Sequence, residues 1–281
     1  MIIFKDPAQT SLYLLQKAKE GVVTSFIPTM GALHDGHTAL VRKARKETAF
    51  VVCSIFVNPS QFNDPKDFEK YPKTLENDIY MLGKAGCDVL LLPSAEAMYP
   101  GGTQSKEHYD LGYLETILEG KYRPGHFQGV CQAVHRLLDI VQPGKLYIGQ
   151  KDFQQCLVIK RLVEQLGLPT EIVISPTLRE PDGLAMSSRN QRLTVEDRAR
   201  AGNIYKVLTD IKSNIHNADV SALKQHAADE LTKKGFKVDY VEVANRTNLQ
   251  PADGNMDEDN LVALAAAYIN NVRLIDNVLL N

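Results

Sequence analysis

His34 and His37 stand three residues apart around Gly36, in the stretch Met30-Gly-Ala-Leu-His-Asp-Gly-His. That spacing at the first turn of a helix puts both rings on one side. A glycine between them removes the Cβ that would keep a nucleotide off the backbone, and a helix N-terminus adds partial positive charge. The combination suits a polyphosphate: the two ring nitrogens of an imidazole can donate to phosphate oxygens and, protonated, offset the charge growing on departing pyrophosphate. Past the middle of the chain, Met186-Ser-Ser-Arg-Asn offers the hydroxyls of Ser187 and Ser188 and the guanidinium of Arg189, donors fit for a phosphate clamp. Two plainer readings of the first motif are a helix cap with two surface histidines and half of a zinc site. Zinc needs Cys, His or carboxylate partners at suitable spacing, and no cysteine lies closer than Cys53.

Two further clusters carry compatible chemistry. In Asn58-Pro-Ser-Gln-Phe the amides of Asn58 and Gln61 can hydrogen-bond uncharged hydroxyls, or form an ordinary polar turn. Gly149-Gln-Lys-Asp-Phe-Gln-Gln supplies Lys151 for phosphate, Asp152 to accept from ribose hydroxyls, and Gln155 one turn into a helix; the plain alternative for Lys151 is a solvated charge. Arg179-Glu-Pro-Asp-Gly leads into the Met186 motif, and such a loop at a domain junction can close over ATP.

The elements that must position these residues are legible from periodicity. Apolar, strand-like runs at 22–29, 50–57, 88–92, 145–149 and 171–175 alternate with helical patterns at 38–46, 74–85, 128–141 and 153–166. This predicts an α/β fold, a Rossmann-like doubly wound parallel sheet whose strands are apolar throughout because both faces are covered. Right-handed crossovers bring the loops after the strands to one carboxyl edge, where such a sheet binds phosphate. After Pro176 the pattern changes. Thr194 opens a helix with Asp197 in capping-box position, a second helix covers about 222–234, and strands follow near 237–244, 261–268 and 272–279. The prediction is a smaller C-terminal α+β domain of helices plus a three-stranded antiparallel sheet, with domains at 1–176 and 177–281. The composition of 99–106 predicts a mobile loop.

Composition excludes several classes. The chain is 44% hydrophobic and 23% charged, as globular proteins are, and its formal charge of -2 leaves no electrostatic footprint for nucleic acid. An anionic ligand must therefore be caught locally. The first residues lack the layout of a signal peptide, and the longest apolar run, 261–269, is too short to cross a bilayer, so a cytoplasmic protein is expected. Cys53, Cys87, Cys131 and Cys156 are scattered singly without a Cys-x-x-Cys and read as reduced core residues.

Five blocks in order, Pro28-Thr-Met-Gly-Ala-Leu-His-Asp-Gly-His, Val57-Asn-Pro-Ser-Gln-Phe, Arg123-Pro-Gly-His-Phe, Gly149-Gln-Lys-Asp-Phe-Gln-Gln and Arg179-Glu-Pro-Asp-Gly-Leu-Ala-Met-Ser-Ser-Arg-Asn, resemble the motifs of the pantoate-β-alanine ligase family over essentially the whole chain. The resemblance implies a homodimeric cytoplasmic enzyme of the adenylate-forming superfamily, joining pantoate to β-alanine with ATP and magnesium and releasing AMP and pyrophosphate. By motif, it implies that the Met30 amide and His34 face the reacting carboxylate and α-phosphate, and His37 the β- and γ-phosphates. Gln61 and Gln155 would hold pantoate, and Gly149 and Asp152 the ribose. Lys151 would stabilise the pentacoordinate phosphorus, and Met186, Ser187, Ser188 and Arg189 would take the nucleotide and clamp the leaving pyrophosphate. Asp35 stands where Glu is frequent. Asn77 and Asp78 replace a more acidic stretch sometimes found near the magnesium, a departure that puts the metal contact in doubt, and Asp78 is the candidate for it.

Three rival readings share parts of this pattern. A nucleotidylyltransferase has the His-x-Gly-His turn but needs no C-terminal domain bearing an amine-acceptor site. A nucleotide-sensing module would not need Lys151, both histidines and Arg189 together. An RNA-charging enzyme is disfavoured by the acidic charge and the lack of room for an anticodon domain.

Overall fold

The computed structural model describes residues 1–63, 65–103, 107–252 and 260–280, so part of the loop expected at 99–106 lies outside the described residues. The chain packs as two compact units, Met1–Gly149 with Val158–Ser175, and Gln150–Leu157 with Pro176–Asn281. Eight residues that the sequence reading assigned to the first domain, Gln150–Leu157, therefore pack with the second.

In the first unit, β1 (Ile2–Phe4), β2 (Thr24–Thr29), β3 (Phe50–Ile55), β4 (Val89–Leu91), β5 (Lys145–Gly149) and β6 (Glu171–Ser175) form one sheet in the order β1-β4-β3-β2-β5-β6, all parallel. The helices between strands are α1 (Pro7–Lys19), α2 (Asp35–Glu47), α3 (Pro65–Glu69), α4 (Leu75–Ala85), α5 (Ala95–Met98), α6 (Leu118–Tyr122), α7 (His126–Val141) and α8 (Phe153–Gln165). Ile27 and Cys53 of the central strands pack with Val41 and Ala44 of α2 and Leu82 of α4 in one buried cluster. Covered strands of this kind are buried along nearly their whole length, so no in–out alternation shows in their sequences. The strand order reverses between β2 and β5, and ligands of doubly wound sheets bind beyond the carboxyl ends at such a reversal. Those ends are Thr29 and Gly149.

In this unit β1, α1 and the short helices α3, α5 and α6 went unpredicted. β1 is only three residues long at the sheet edge, too short for a period to show. The signal for α1 was present: Pro7 opens it and the Asp6 carboxylate accepts from Ala8 N at 2.7 Å, an N-cap followed by proline.

The second unit contains α9 (Val195–Ala201), α10 (Asn203–Asn214), α11 (Val220–Lys233) and an antiparallel sheet β7-β8-β9, namely β7 (Phe236–Asn245), β8 (Leu261–Ile269) and β9 (Val272–Leu279). Thr194 Oγ1 caps α9 by accepting from Asp197 N at 3.1 Å. The expected pair of helices is three, because the helical stretch after Thr194 is divided at Gly202. There the chain passes close to the 178–186 segment: a Cβ on Gly202 would sit 2.9 Å from Asp182 O. Leu261, Ala263, Ala265, Ala267 and Ile269, alternate residues of β8, pack in one cluster with Ile204, Leu208 and Ile211 of α10 and Leu231 of α11. Period two puts them on one sheet face.

Candidate active site

Beyond β2 the backbone makes a turn that most residues avoid. Gly31 has φ +78° and Ala32 φ +48°, a strained arrangement that persists only where surroundings over-determine it. Asp78, from the first turn of α4, supplies the restraint. Its Oδ2 accepts from Ala32 N at 2.9 Å, its Oδ1 from Leu33 N at 2.8 Å and from Thr74 Oγ1 at 2.9 Å. Burying a carboxylate is tolerated when it is hydrogen-bonded in this way, and Asp78 is 1% exposed. A Cβ on Gly31 would meet Asp78 Oδ2 at 3.0 Å and Ile55 Cγ2 at 3.1 Å. The sequence reading made Asp78 the magnesium contact; the structure corrects this, since both oxygens are taken up in shaping the turn and the residue is closed to solvent. Among the described residues no group of three His, Cys, Asp or Glu could hold a metal.

That turn delivers His34 to the N-cap of α2 and His37 to its first turn, with ring centroids 4.0 Å apart. Gly36 N donates to His34 Nδ1 at 3.2 Å, and His34 N donates to His37 Nδ1 at 3.3 Å. Each Nδ1 is thus an acceptor, and in the neutral ring the proton sits on Nε2. The expectation that both ring nitrogens could donate is therefore corrected: one nitrogen caps the helix, and donation belongs to Nε2. The helix-cap reading and the phosphate reading describe opposite edges of the same rings.

Gln61 lies beside this turn, its Nε2 donating to Met30 Sδ at 2.8 Å. Asn58, 1% exposed, has a different job from binding a ligand hydroxyl: its Nδ2 donates to Gly129 O at 2.9 Å, and its Oδ1 accepts from Tyr99 Oη and Ser60 Oγ at 3.1 and 3.0 Å. His126, at the head of α7, holds the other end. Its ring lies with Nδ1 2.8 Å from Gln61 O and Nε2 3.0 Å from Arg123 Nη1, so Nδ1–H donates to the carbonyl and Nε2 accepts. Gly129 permits the contact: a Cβ there would run into Ser60 O and lie 2.8 Å from Gln61 Cα. Nothing in the local sequence of the Arg123–His126 motif marks it for this contact, because its partner, Gln61, lies 65 positions away.

In the second unit, Lys151 lies in a single 3-10 turn, Gln150–Asp152, with its ammonium 3.4 Å from Asp152 Oδ1. Gln155, in the first turn of α8, is half-buried. The Met186 motif follows a tight turn in which Met186 N donates to Leu178 O at 3.0 Å and Glu180 N to Leu184 O at 2.8 Å. Arg179 is gripped by Asp276 of β9 at 2.6 and 3.0 Å, and its guanidinium lies 3.8 Å from the Tyr205 ring centre. Burial pushes the Asp276 carboxyl upward against the opposing pull of Arg179. Ser187 caps the following 3-10 helix, Ser188–Arg192, its Oγ accepting from Arg189 N at 3.3 Å, which leaves the hydroxyl hydrogen as a donor. Met186 and Arg189 are half-buried and Ser188 is buried. Met30, His34, His37 and Gln61 are thus grouped in the first unit, where Gly149 ends β5, and Lys151, Asp152, Gln155, Met186, Ser187, Ser188 and Arg189 belong to the second.

All four cysteines are free and buried. Burial pushes the thiols of Cys53 and Cys156 well up and that of Cys131 up to about 12, so these three are protonated near neutral pH. No helix among the described residues is long and apolar enough to cross a membrane.

Comparison with known proteins matches this arrangement to one family. Residues 2–279 fit the family described as pantoate-beta-alanine ligase. The pantothenate synthetase of Cytophaga hutchinsonii is 43% identical over 100% of this chain and 99% of its own length. The crystal structure of pantothenate synthetase from Thermus thermophilus superposes with a TM-score of 0.92 at 39% identity, covering 100% of this chain and 99% of that one. A pantoate-beta-alanine ligase from Francisella tularensis, solved with beta-gamma ATP and beta-alanine, gives 0.85 at 38% identity, over 100% and 98%. With likeness running from one end of the sequence to the other in both residues and fold, the chain belongs to the pantoate-β-alanine ligase family.

Proposed function

We propose that this protein joins pantoate to β-alanine at the expense of ATP, through a pantoyl adenylate. A pantoate carboxylate oxygen attacks the α-phosphorus and pyrophosphate leaves; the amine of β-alanine then attacks the activated carbonyl, loses a proton, and AMP leaves. Neither step needs a covalent enzyme nucleophile. The protein's part is positioning, charge stabilisation and exclusion of water from the mixed anhydride. In this reading the Met30 amide and His34 Nε2 serve the reacting carboxylate and α-phosphate, His37 the outer phosphates, Gln61 and Gln155 pantoate, and Gly149 and Asp152 the ribose. Lys151 stabilises the pentacoordinate phosphorus, while Met186, Ser187, Ser188 and Arg189 hold the nucleotide and its leaving group. Support comes above all from the turn after β2, where Asp78 and two backbone-to-Nδ1 bonds orient both imidazoles.

Magnesium accompanies this chemistry in the family, but the residues described form no cluster fitted to it and Asp78 is otherwise engaged. An ion carried in on the phosphates needs few protein ligands, and no step above is routed through it. A cytoplasmic homodimer completes the proposal, checked by light scattering and cell fractionation. The deciding experiment is exchange of labelled pyrophosphate into ATP. Pantoate without β-alanine should support exchange, and full turnover should accumulate AMP; exchange that requires β-alanine, or accumulation of ADP, would overturn the two-step scheme.

A further inference from the structure

Strand β9 carries two adjacent buried polar residues, Asp276 and Asn277, 2% and 1% exposed. Polar groups in such a place cost stability unless they are hydrogen-bonded, and Asn277 is bonded through every amide atom. Its Nδ2 donates to the backbone carbonyls of Gln150 at 3.0 Å and Lys151 at 2.9 Å, and its Oδ1 accepts from Gln150 Nε2 at 3.0 Å. Those two carbonyls belong to the peptide planes on either side of the Lys151 Cα. Because each peptide is planar, fixing both planes sets φ and ψ of Lys151 and hence the direction in which its side chain leaves the backbone. Asparagine suits this task by chemistry: aspartate of the same size has no donor for the carbonyls, and leucine has neither donor nor acceptor.

We propose that Asn277 is a positioning residue for adenylate formation, holding the Gln150–Asp152 turn so that the Lys151 ammonium is aimed at the reacting phosphate. This rests on the role given to Lys151 above. A group aimed at charge that develops in the transition state acts on kcat more than on KM, and misplacement by about 1 Å can cost on the order of a hundredfold. Asn277→Leu should therefore slow pantoate-dependent ATP–pyrophosphate exchange at least tenfold in kcat, with KM for ATP little changed. Lys151→Ala should show the same signature. In the double variant, Asn277→Leu should add little to the loss already caused by Lys151→Ala.

The outcomes separate cleanly. Slow Lys151→Ala with wild-type kcat in Asn277→Leu overturns the inference and leaves the reading of Lys151 intact. Wild-type kcat in Lys151→Ala overturns both. Full additivity in the double variant shows that Asn277 acts through something other than Lys151 and also overturns the inference. If Asn277→Leu fails to fold, Asn277→Ser decides, since it keeps one donor and introduces no apolar bulk: an intermediate kcat with a cooperative melt supports positioning, and a wild-type kcat overturns it.

Discussion

His34 does two jobs with two atoms, and the atoms can be separated. Asparagine is among the best N-cap residues, so His34→Asn keeps a side-chain acceptor for the first turn of α2 while removing Nε2. Stability should stay within about 0.5 kcal/mol of wild type, whereas single-turnover adenylation should slow by roughly 10²- to 10³-fold, the scale for losing one preorganised donor. Unchanged adenylation would return His34 to a helix cap and nothing more. Asp78 poses the opposite question, because its visible work is structural. Asp78→Asn puts an NH2 where a backbone N–H of Ala32 or Leu33 needs an acceptor. The expected cost is about 1–3 kcal/mol of folding stability, read by denaturant titration, together with reduced activity as the turn relaxes. A variant of unchanged stability whose only defect is a weaker response to magnesium would put the metal back at Asp78.

At the scale of elements, the first unit holds Gln61 by pressing one helix onto one turn. α7 approaches the Asn58–Gln61 turn through Gly129, with Asn58 and His126 bonding across the gap in opposite directions. Gly129→Ala drives a methyl group into Ser60 O, and overpacking of this kind typically costs about 1–3 kcal/mol. Since the displaced turn carries Gln61, KM for pantoate should rise several-fold while KM for ATP changes little; an equal rise in both would show that the turn does not serve pantoate selectively. A similar close approach acts at Gly202, where a Cβ would sit 2.9 Å from Asp182 O.

For the molecule as a whole, pH sensitivity at the acid end is written into the second unit. Arg198 on α9 grips Asp182 in the turn that precedes the Met186 motif, one of its bonds measuring 3.1 Å, and this hydrogen bonding holds the Asp182 carboxyl below its ordinary value of 3.8. Asp197 is lowered as well, first by the hydrogen bond from Asn270. A carboxyl depressed in the folded state contributes stability above its unfolded value, and that contribution is lost as pH falls through the lower folded value. The Asp182–Arg198 pair is partly exposed, so screening limits its worth to about 1 kcal/mol or less. Asp182→Asn should therefore be slightly less stable than wild type at pH 7, and the gap should close below the ordinary aspartate value. A gap that stays constant from pH 7 to acid would show that the ion pair is not its source.

The chain by itself determined the fold class and the family, because both are written at short range. Burial on two faces makes the strands of 50–57 and 145–149 mostly apolar, a signal that survives without knowing any partner, and a motif such as His34, Gly36 and His37 marks the family by its own spacing. What the tertiary structure alone decided are the single polar residues that aim those motifs. Asp78 reaches Leu33 across 45 positions, His126 reaches Gln61 across 65 and Asn277 reaches Lys151 across 126. One polar residue meeting one distant backbone group leaves no period and no local pattern. Its partner is set by how the chain closes on itself, since a buried donor or acceptor must be satisfied by whatever the packing brings within about 3 Å.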